Sequence, residues 1–212
     1  MERPIDQYAA NYARNVARTG QGEDYNRLSS RMCWDAVAEV ARTAAEAVAG
    51  NAQAGAPASR NVNPRTDLVS TFDPRVDTPE AMRNVRPGAV LGFFDDGGQL
   101  AHVMIATGNG FAAGNKNDCI RPNSGDRTFA PVGFQDINLA DSLNWDRNRG
   151  GIGADAGHQP GNASARHLVH YNIHQRPLSD PPPATALPPS QPSTSALPGS
   201  VRRWGESPHS EL

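Results

Sequence analysis

The chain has 212 residues, a formal net charge of −2 and a hydrophobic content of 37%. This length fits one domain with a tail, and the near-neutral charge gives no indication of a nucleic-acid partner. With 20 glycines and 18 prolines, part of the chain is expected to lie outside a packed core.

The N-terminus has no apolar segment of the signal-peptide type, and no apolar run approaches the roughly 20 residues of a membrane span. We therefore expect a protein without a membrane span that is cytoplasmic as translated. Secretion would need a route that does not read a cleaved signal. Its two cysteines are too few for a disulfide framework and are expected to be unpaired thiols, with a single bridge between them as the alternative.

Two helices are predicted in the first fifty residues. Apolar residues recur at helical spacing from Ile5 to Ala17, which indicates an amphipathic helix. Ser30 is a candidate N-cap for a second, alanine-rich helix from Arg31 to about Ala49.

An antiparallel meander is predicted at about residues 89–120, after a short helix that starts at Thr78-Pro79. The apolar run Ala89–Phe94 is followed by an Asp-Asp-Gly-Gly turn and a second run, Leu100–Thr107. A Gly-Asn-Gly turn then leads into Phe111–Gly114. Three strands with tight turns fit this pattern.

The second half of the chain is less regular. No pattern fixes the structure of residues 121–165, whereas Arg166–His174 alternates like a last strand. From Pro177 onward, proline with Ser, Thr and Ala predicts a disordered tail, 177–212, after a domain of residues 1–176. Within the tail, Pro189–Pro192 has the spacing of a polyproline ligand.

Cys33 and His102 are the candidates for chemistry. Cys33 would lie in the first turn of its helix, where unpaired N–H groups and the helix dipole stabilise a thiolate. His102 is the only strongly polar side chain in the middle of its strand, and it would share a face with Met104 and Ala106. A thiol and a histidine base are the minimum set for nucleophilic catalysis. The alternatives are that Cys33 acts as a small buried apolar residue of its helix and that His102 is a core histidine.

The order and spacing of these segments resemble the papain-like hydrolases of the NlpC type. The corresponding segments are RPGAVLGFF, HVMI and GNG, against an R-P-G-D-L-V-F-F-like strand, an H-V-x-I strand and a G-x-G turn. The resemblance implies an α+β fold, with N-terminal helices packed on an antiparallel β-meander in a papain-like (NlpC-type) core. It also implies that Cys33 is the nucleophile and His102 the base.

The third role departs from the family pattern. The aligned position is Gly114, and Asn115 is the preferred residue to orient the imidazole, with Asn117 and Asp118 as alternatives. Trp34, directly after the nucleophile, is a candidate for substrate binding.

Cys119 offers a rival assignment. Asn117-Asp118-Cys119 resembles the Asn-Cys of lecithin:retinol acyltransferase-like proteins, permuted relatives in which histidine precedes cysteine. In those proteins the cysteine begins a helix far downstream of the histidine, whereas here it follows by only 17 residues, with Pro122 close behind. Cys33 is therefore preferred.

Other histidines and aspartates do not predict a metal site. The histidines near the end of the domain lack a cysteine or carboxylate nearby, and the aspartates lack calcium-loop spacing. The residues considered are His167, His170, His174, Asp141, Asp146 and Asp155. Neither a metal nor a cofactor is expected.

The sequence therefore predicts a cysteine hydrolase that cleaves an amide or ester bond in a peptide-like or acyl substrate through an acyl-enzyme. The absent signal, the single lysine and the tail fit a bacterial toxin or effector, delivered by a secretion apparatus to act on peptidoglycan peptides or a host protein. The alternative is a non-catalytic binding or adaptor protein that keeps this fold and whose proline-rich tail binds a polyproline-recognising partner.

Overall fold

The computed structural model describes residues 3–49, 75–120, 133–159 and 162–178. The helices in these ranges are α1 (Pro4–Thr19), α2 (Glu23–Ser30), α3 (Cys33–Ala49), α4 (Pro79–Arg83), a 3₁₀ helix (Asn117–Ile120) and α5 (Leu139–Ser142). The strands are β1 (Arg75–Val76), β2 (Val90–Phe94), β3 (Leu100–Gly108), β4 (Phe111–Gly114), β5 (Gln135–Asn138), β6 (Trp145–Asp146), β7 (Gly151–Gln159) and β8 (Asn162–Arg176).

All eight strands join one antiparallel sheet in the order β5-β4-β3-β2-β8-β7-β6, and β1 pairs with β8. β8 is long enough to serve three partners, because β7 pairs with its first part while β2 and β1 pair with its last part. Helices packed on an antiparallel sheet confirm the α+β class. None of the described helices is long and apolar enough to cross a membrane.

Both faces of this sheet are apolar, and each builds its own core. On the helix face, β-strand side chains pack against α1 and α3; they include Val90, Val103, Ile105 and Ala113. The intervening side chains point to the opposite face and build a second core with α4, α5 and β7; they include Leu91, Phe93, Met104, Ala106 and Ala112. Alternation along each strand produces this division.

The first helix forms as predicted, and its N-terminal part lies directly on the sheet. It ends at Gly20, which adopts the left-handed conformation. In the turn before β2, Gly88 has a φ of +84°, and a β-carbon there would collide with the backbone of Asp6. Only glycine allows this close approach of α1 to the turn before β2.

The segment before Cys33 differs from the prediction. Residues 23–30 form α2, which has Glu23 and Asp24 in its first turn and buries Leu28 completely. Ser30 is therefore the last residue of α2, and its hydroxyl donates to the Arg27 carbonyl at 2.9 Å rather than capping α3. The helix predicted from Arg31 begins two residues later, at Cys33.

The predicted meander is confirmed as β2, β3 and β4. The cap of α4 is also confirmed, because the Thr78 hydroxyl accepts from the Ala81 N–H at 3.0 Å. The last strand is longer than predicted, and β5, β6 and β7 form where no pattern fixed the structure.

The domain boundary predicted after residue 176 is placed too early. Leu178 is 1% exposed and belongs to the helix-face core, and its carbonyl accepts from the Arg3 guanidinium. The folded domain therefore includes Leu178. The rest of the predicted tail, with its polyproline motif, lies outside the described residues.

Candidate functional site

His102 lies in the opposite-face core. In β3 it pairs with Phe93 of β2, and the two rings lie 5.6 Å apart between centroids. It shares its face with Met104 and Ala106, as strand alternation predicts, and it is 1% exposed. A polar ring at this depth needs hydrogen bonds to offset its desolvation.

Asn117 supplies one of these bonds. Its Oδ1 lies 2.9 Å from His102 Nε2, and its Nδ2 donates to the Gly114 carbonyl at 3.2 Å. The second bond fixes the orientation of the amide, so that oxygen faces the ring. Because an amide oxygen can only accept, Nε2 carries a proton and the basic lone pair of a neutral imidazole is on Nδ1. This is the tautomer that a Cys-His-Asn site requires.

Asn115, the residue preferred from the sequence, has a different role. It is completely buried, and its Nδ2 donates to the carbonyls of Leu28 at 2.8 Å, Ser29 at 3.3 Å and Arg31. These carbonyls lie at the end of α2, where intrahelical partners run out. Asn115 therefore clamps the α2–α3 junction to β4, and the assignment of Asn115 as the imidazole-orienting residue is corrected to Asn117.

The backbone of Lys116 explains this division. Two residues that are two apart on a strand point to the same face. Lys116 breaks that rule because it lies in the left-handed region, with a φ of +56°. The chain leaves β4 there and enters the 3₁₀ helix. The side chain of Asn115 therefore lies on the helix face of the sheet, and that of Asn117 lies on the opposite face.

Cys33 lies on the other side of the sheet from His102. It is the first residue of α3, half-buried, and packs against the helix-face core, as does Trp34. Val103, the neighbour of His102 in β3, belongs to that same core. The predicted Cys33–His102 pair is therefore separated by the sheet, because His102 and Val103 point in opposite directions.

Cys119 is the cysteine on the His102 side. It lies in the 3₁₀ helix, two residues after Asn117, and packs half-buried against the opposite-face core. No disulfide joins it to Cys33. Only 17 residues separate His102 from Cys119, which argued against Cys119 in the sequence. In the fold, the β3–β4 hairpin and one turn of 3₁₀ helix span those residues and bring Cys119 to the same face as His102.

Tyr171 of β8 belongs to the same core and was not singled out from the sequence. It is 4% exposed. Burial, followed by the charges of Cys119 and Asp95, raises the pKa of Tyr171 to about 12. Its hydroxyl is therefore protonated at neutral pH and remains a hydrogen-bond donor close to the Cys119 side of the core.

The described part of the chain holds no group of three histidine, cysteine or acidic side chains that could bind a metal ion. Two of the aspartates considered from sequence have local roles. Asp141 pairs with Arg83 at 2.6 Å, and Asp146 accepts from the backbone N–H of Asn148 at 2.9 Å. The side chains of Asp155 and His167 lie outside the described residues.

No family model, curated protein or solved structure matches this chain. The candidate site therefore depends on its own geometry.

Proposed function

We propose that this protein is a thiol-dependent acyl hydrolase in which Cys119 is the nucleophile, His102 the general base and Asn117 the residue that orients it. The observation that carries the proposal is the buried hydrogen bond of 2.9 Å between His102 Nε2 and Asn117 Oδ1. This bond fixes the tautomer of the imidazole, so that its basic nitrogen is Nδ1, on the side of the ring away from Asn117. Cys119 is the thiol on that face of the sheet.

The reaction would proceed in two halves. His102 Nδ1 takes the proton of the Cys119 thiol, and the sulfur attacks the carbonyl carbon of an amide or ester. The imidazolium then protonates the leaving amine or alcohol as the carbon–heteroatom bond breaks. In the second half, His102 takes a proton from water, the resulting hydroxide attacks the thioester, and the thiol recovers its proton as the acid leaves.

Tyr171 supports this chemistry. A protonated hydroxyl near the nucleophile can donate to the oxygen that becomes negative in the tetrahedral intermediate. The raised pKa of Tyr171 keeps that proton in place throughout the neutral range.

We propose that the chain is related to the permuted relatives of the papain-like hydrolases. In that group histidine precedes cysteine, which is the order of His102 and Cys119. Cys33, the helix-borne cysteine that matches the unpermuted order, lies on the opposite side of the sheet from His102. A peptide-like or acyl substrate remains the proposed class, and delivery as a bacterial effector remains a proposal from the composition.

The test is competitive labelling of the two cysteines. We expect iodoacetamide at neutral pH to modify Cys119 faster than Cys33. His102→Gln should lower the alkylation rate of Cys119 and leave that of Cys33 unchanged. Mass mapping over time measures both rates. Cys33→Ser is the matched control, because it removes the other thiol from the opposite side of the sheet. Faster labelling of Cys33, or a Cys119 rate that does not depend on His102, would overturn the assignment.

A non-catalytic adaptor is the second candidate, and one observation favours it. His102 and Asn117 are 1% and 2% exposed, which suits a structural polar pair as well as a catalytic one. An adaptor would show no burst of p-nitrophenol from p-nitrophenyl acetate. The hydrolase would show a burst that Cys119→Ala abolishes and Cys33→Ala leaves intact.

A further inference from the structure

A cleft of about 420 Å³ opens at the tip of the β2–β3 hairpin. Asn172 and His174 border it, and they alternate along β8 with Tyr171 and Ile173 of the opposite-face core. Both residues therefore lie on the helix face of the sheet. The cleft is lined by Phe94, Asp95, Asp96, Gly98, Asn172 and His174.

The lining has a negative charge and an aromatic wall. Asp95 and Asp96 are its two carboxylates, and the described residues that line it include no lysine or arginine, although Arg75 donates to Asn172 Oδ1 at its edge. Phe94 and His174 meet edge to face, with ring centroids 5.5 Å apart. Carboxylates beside an aromatic wall favour an organic cation, because the charge pairs with the acids while the alkyl stem or the cationic plane packs on the ring.

Asp96 already accepts a guanidinium. Arg149 Nη2 lies 2.7 Å from its Oδ1, with both side chains more than half exposed. Exposed ion pairs contribute little to stability, so a ligand cation can replace Arg149 at small cost. Asp95 accepts the Gln99 N–H at 2.8 Å through Oδ1, which holds the turn.

A buried imidazole lies behind Asp96. His170 is 6% exposed and fills the space that glycine leaves at residue 151. Its Nδ1 lies 3.5 Å from Asp96 Oδ1, and neither ring nitrogen makes a hydrogen bond to the described residues. A buried polar group without a hydrogen bond is costly in a native fold. An ordered water brought in by a ligand on Asp96 would complete the hydrogen bonding of His170.

We propose that this cleft binds a guanidinium group, with Asp95 and Asp96 as its anionic partners and Phe94 as its aromatic wall. The guanidinium could belong to an arginine side chain in a peptide or to a free small molecule. None of His102, Asn117 and Cys119 lines the cleft, so this proposal does not depend on catalysis.

Binding to the full chain, measured by isothermal titration calorimetry, tests it. N-acetyl-argininamide should bind saturably, and N-acetyl-citrullinamide, its uncharged analogue of the same shape, should not. Comparable binding of ethylguanidinium would identify a free guanidinium as sufficient, whereas binding of the peptide analogue alone would identify an arginine in a chain. Saturation by neither up to about 10 mM would overturn the proposal.

Two variants and a matched control locate the site. Asp96→Asn and Asp95→Asn should each weaken binding by about tenfold or more, because each removes a charged hydrogen-bond acceptor. Asp95→Asn keeps an oxygen that can still accept the Gln99 N–H and so preserve the hairpin turn. If that turn is nevertheless disturbed, Asp96→Asn tests the site independently. Asp141→Asn is the control, since Asp141 also pairs with an arginine at 2.6 Å on the surface. An equal loss in the control, or tighter binding of Ca²⁺ or Zn²⁺ than of guanidinium, would overturn the proposal.

Discussion

The two faces of the sheet have cores of similar composition but different polar content. On the helix face, the completely buried Asn115 binds backbone carbonyls and holds elements together. On the opposite face, His102, Asn117, Cys119 and Tyr171 belong to or border one core. The same strands thus carry a structural network on one side and groups capable of chemistry on the other. Strand alternation decides the face for His102 and Val103, and the left-handed backbone of Lys116 decides it for Asn115 and Asn117.

The largest effect on stability is expected at the C-terminal edge of the helix-face core. A chain ending at Arg176 should be less stable than one ending at Leu178 by about 2–4 kcal/mol, because a buried leucine leaves a cavity. The melting temperature should fall by roughly 5–15 °C, measured by calorimetry. Leu178→Ala in the full chain should reproduce most of this loss, and equal melting temperatures for the two truncated chains would remove Leu178 from the core.

The two asparagines should separate stability from reactivity. Asn115→Ala should destabilise the fold by about 2–3 kcal/mol in urea denaturation, because it leaves buried carbonyls without donors. It should leave the alkylation rate of Cys119 unchanged under native conditions.

Asn117→Ala is the matched variant. It should slow alkylation of Cys119, because the imidazole loses the acceptor that fixes its tautomer. If Asn115→Ala slowed Cys119 and Asn117→Ala did not, the roles of the two residues would be reversed.

Tyr171 should make stability depend on pH in the alkaline range. Its pKa is about 12 in the fold against an ordinary tyrosine pKa of about 10, so between these values the unfolded chain has lost a proton that the folded chain keeps. Stability should therefore be full below pH 10 and fall as pH rises toward 12, by up to about 2 kcal/mol from this group. Tyr171→Phe should flatten this part of the profile, measured as urea midpoints from pH 9 to 11.5. The same dependence of stability on pH in Tyr171→Phe as in the unsubstituted protein would contradict this prediction.

The smallest effect is expected at Lys116. Its left-handed backbone costs a non-glycine residue about 1 kcal/mol. Lys116→Gly should be neutral or stabilising by up to about 1 kcal/mol, whereas Lys116→Val should be destabilising by a similar amount. Thermal melts of the two variants measure this difference, and a more stable valine variant would contradict the backbone argument.

Much of this fold follows from local patterns. The first helix and the β2–β4 meander have clear periodicity and strong turn residues, and both form as predicted. β7 was missed because GIGADAGHQ is rich in glycine and alanine, so neither period is visible in it. Leu178 was assigned to the tail because its burial depends on α1, which is distant in sequence.

The candidate site could be predicted only in part. His102 was found because a histidine inside an apolar strand is unusual. Cys33, its expected partner, lies on the other side of the sheet; both faces of β3 are apolar, so alternation does not reveal which face the helices cover. Asn115 was preferred to Asn117 because nothing in the sequence marks Lys116 as left-handed.

Lys116 has one more consequence. It is the single lysine of the chain, and it is exposed between the two asparagines that serve opposite faces. An enzyme that transfers ubiquitin or acetyl groups to lysine side chains would therefore find one acceptor on this protein, at the junction between the α2–α3 clamp and the His102 pair. An amine-reactive fluorophore would label this one lysine side chain besides the α-amino group, leaving both thiols intact for other labels.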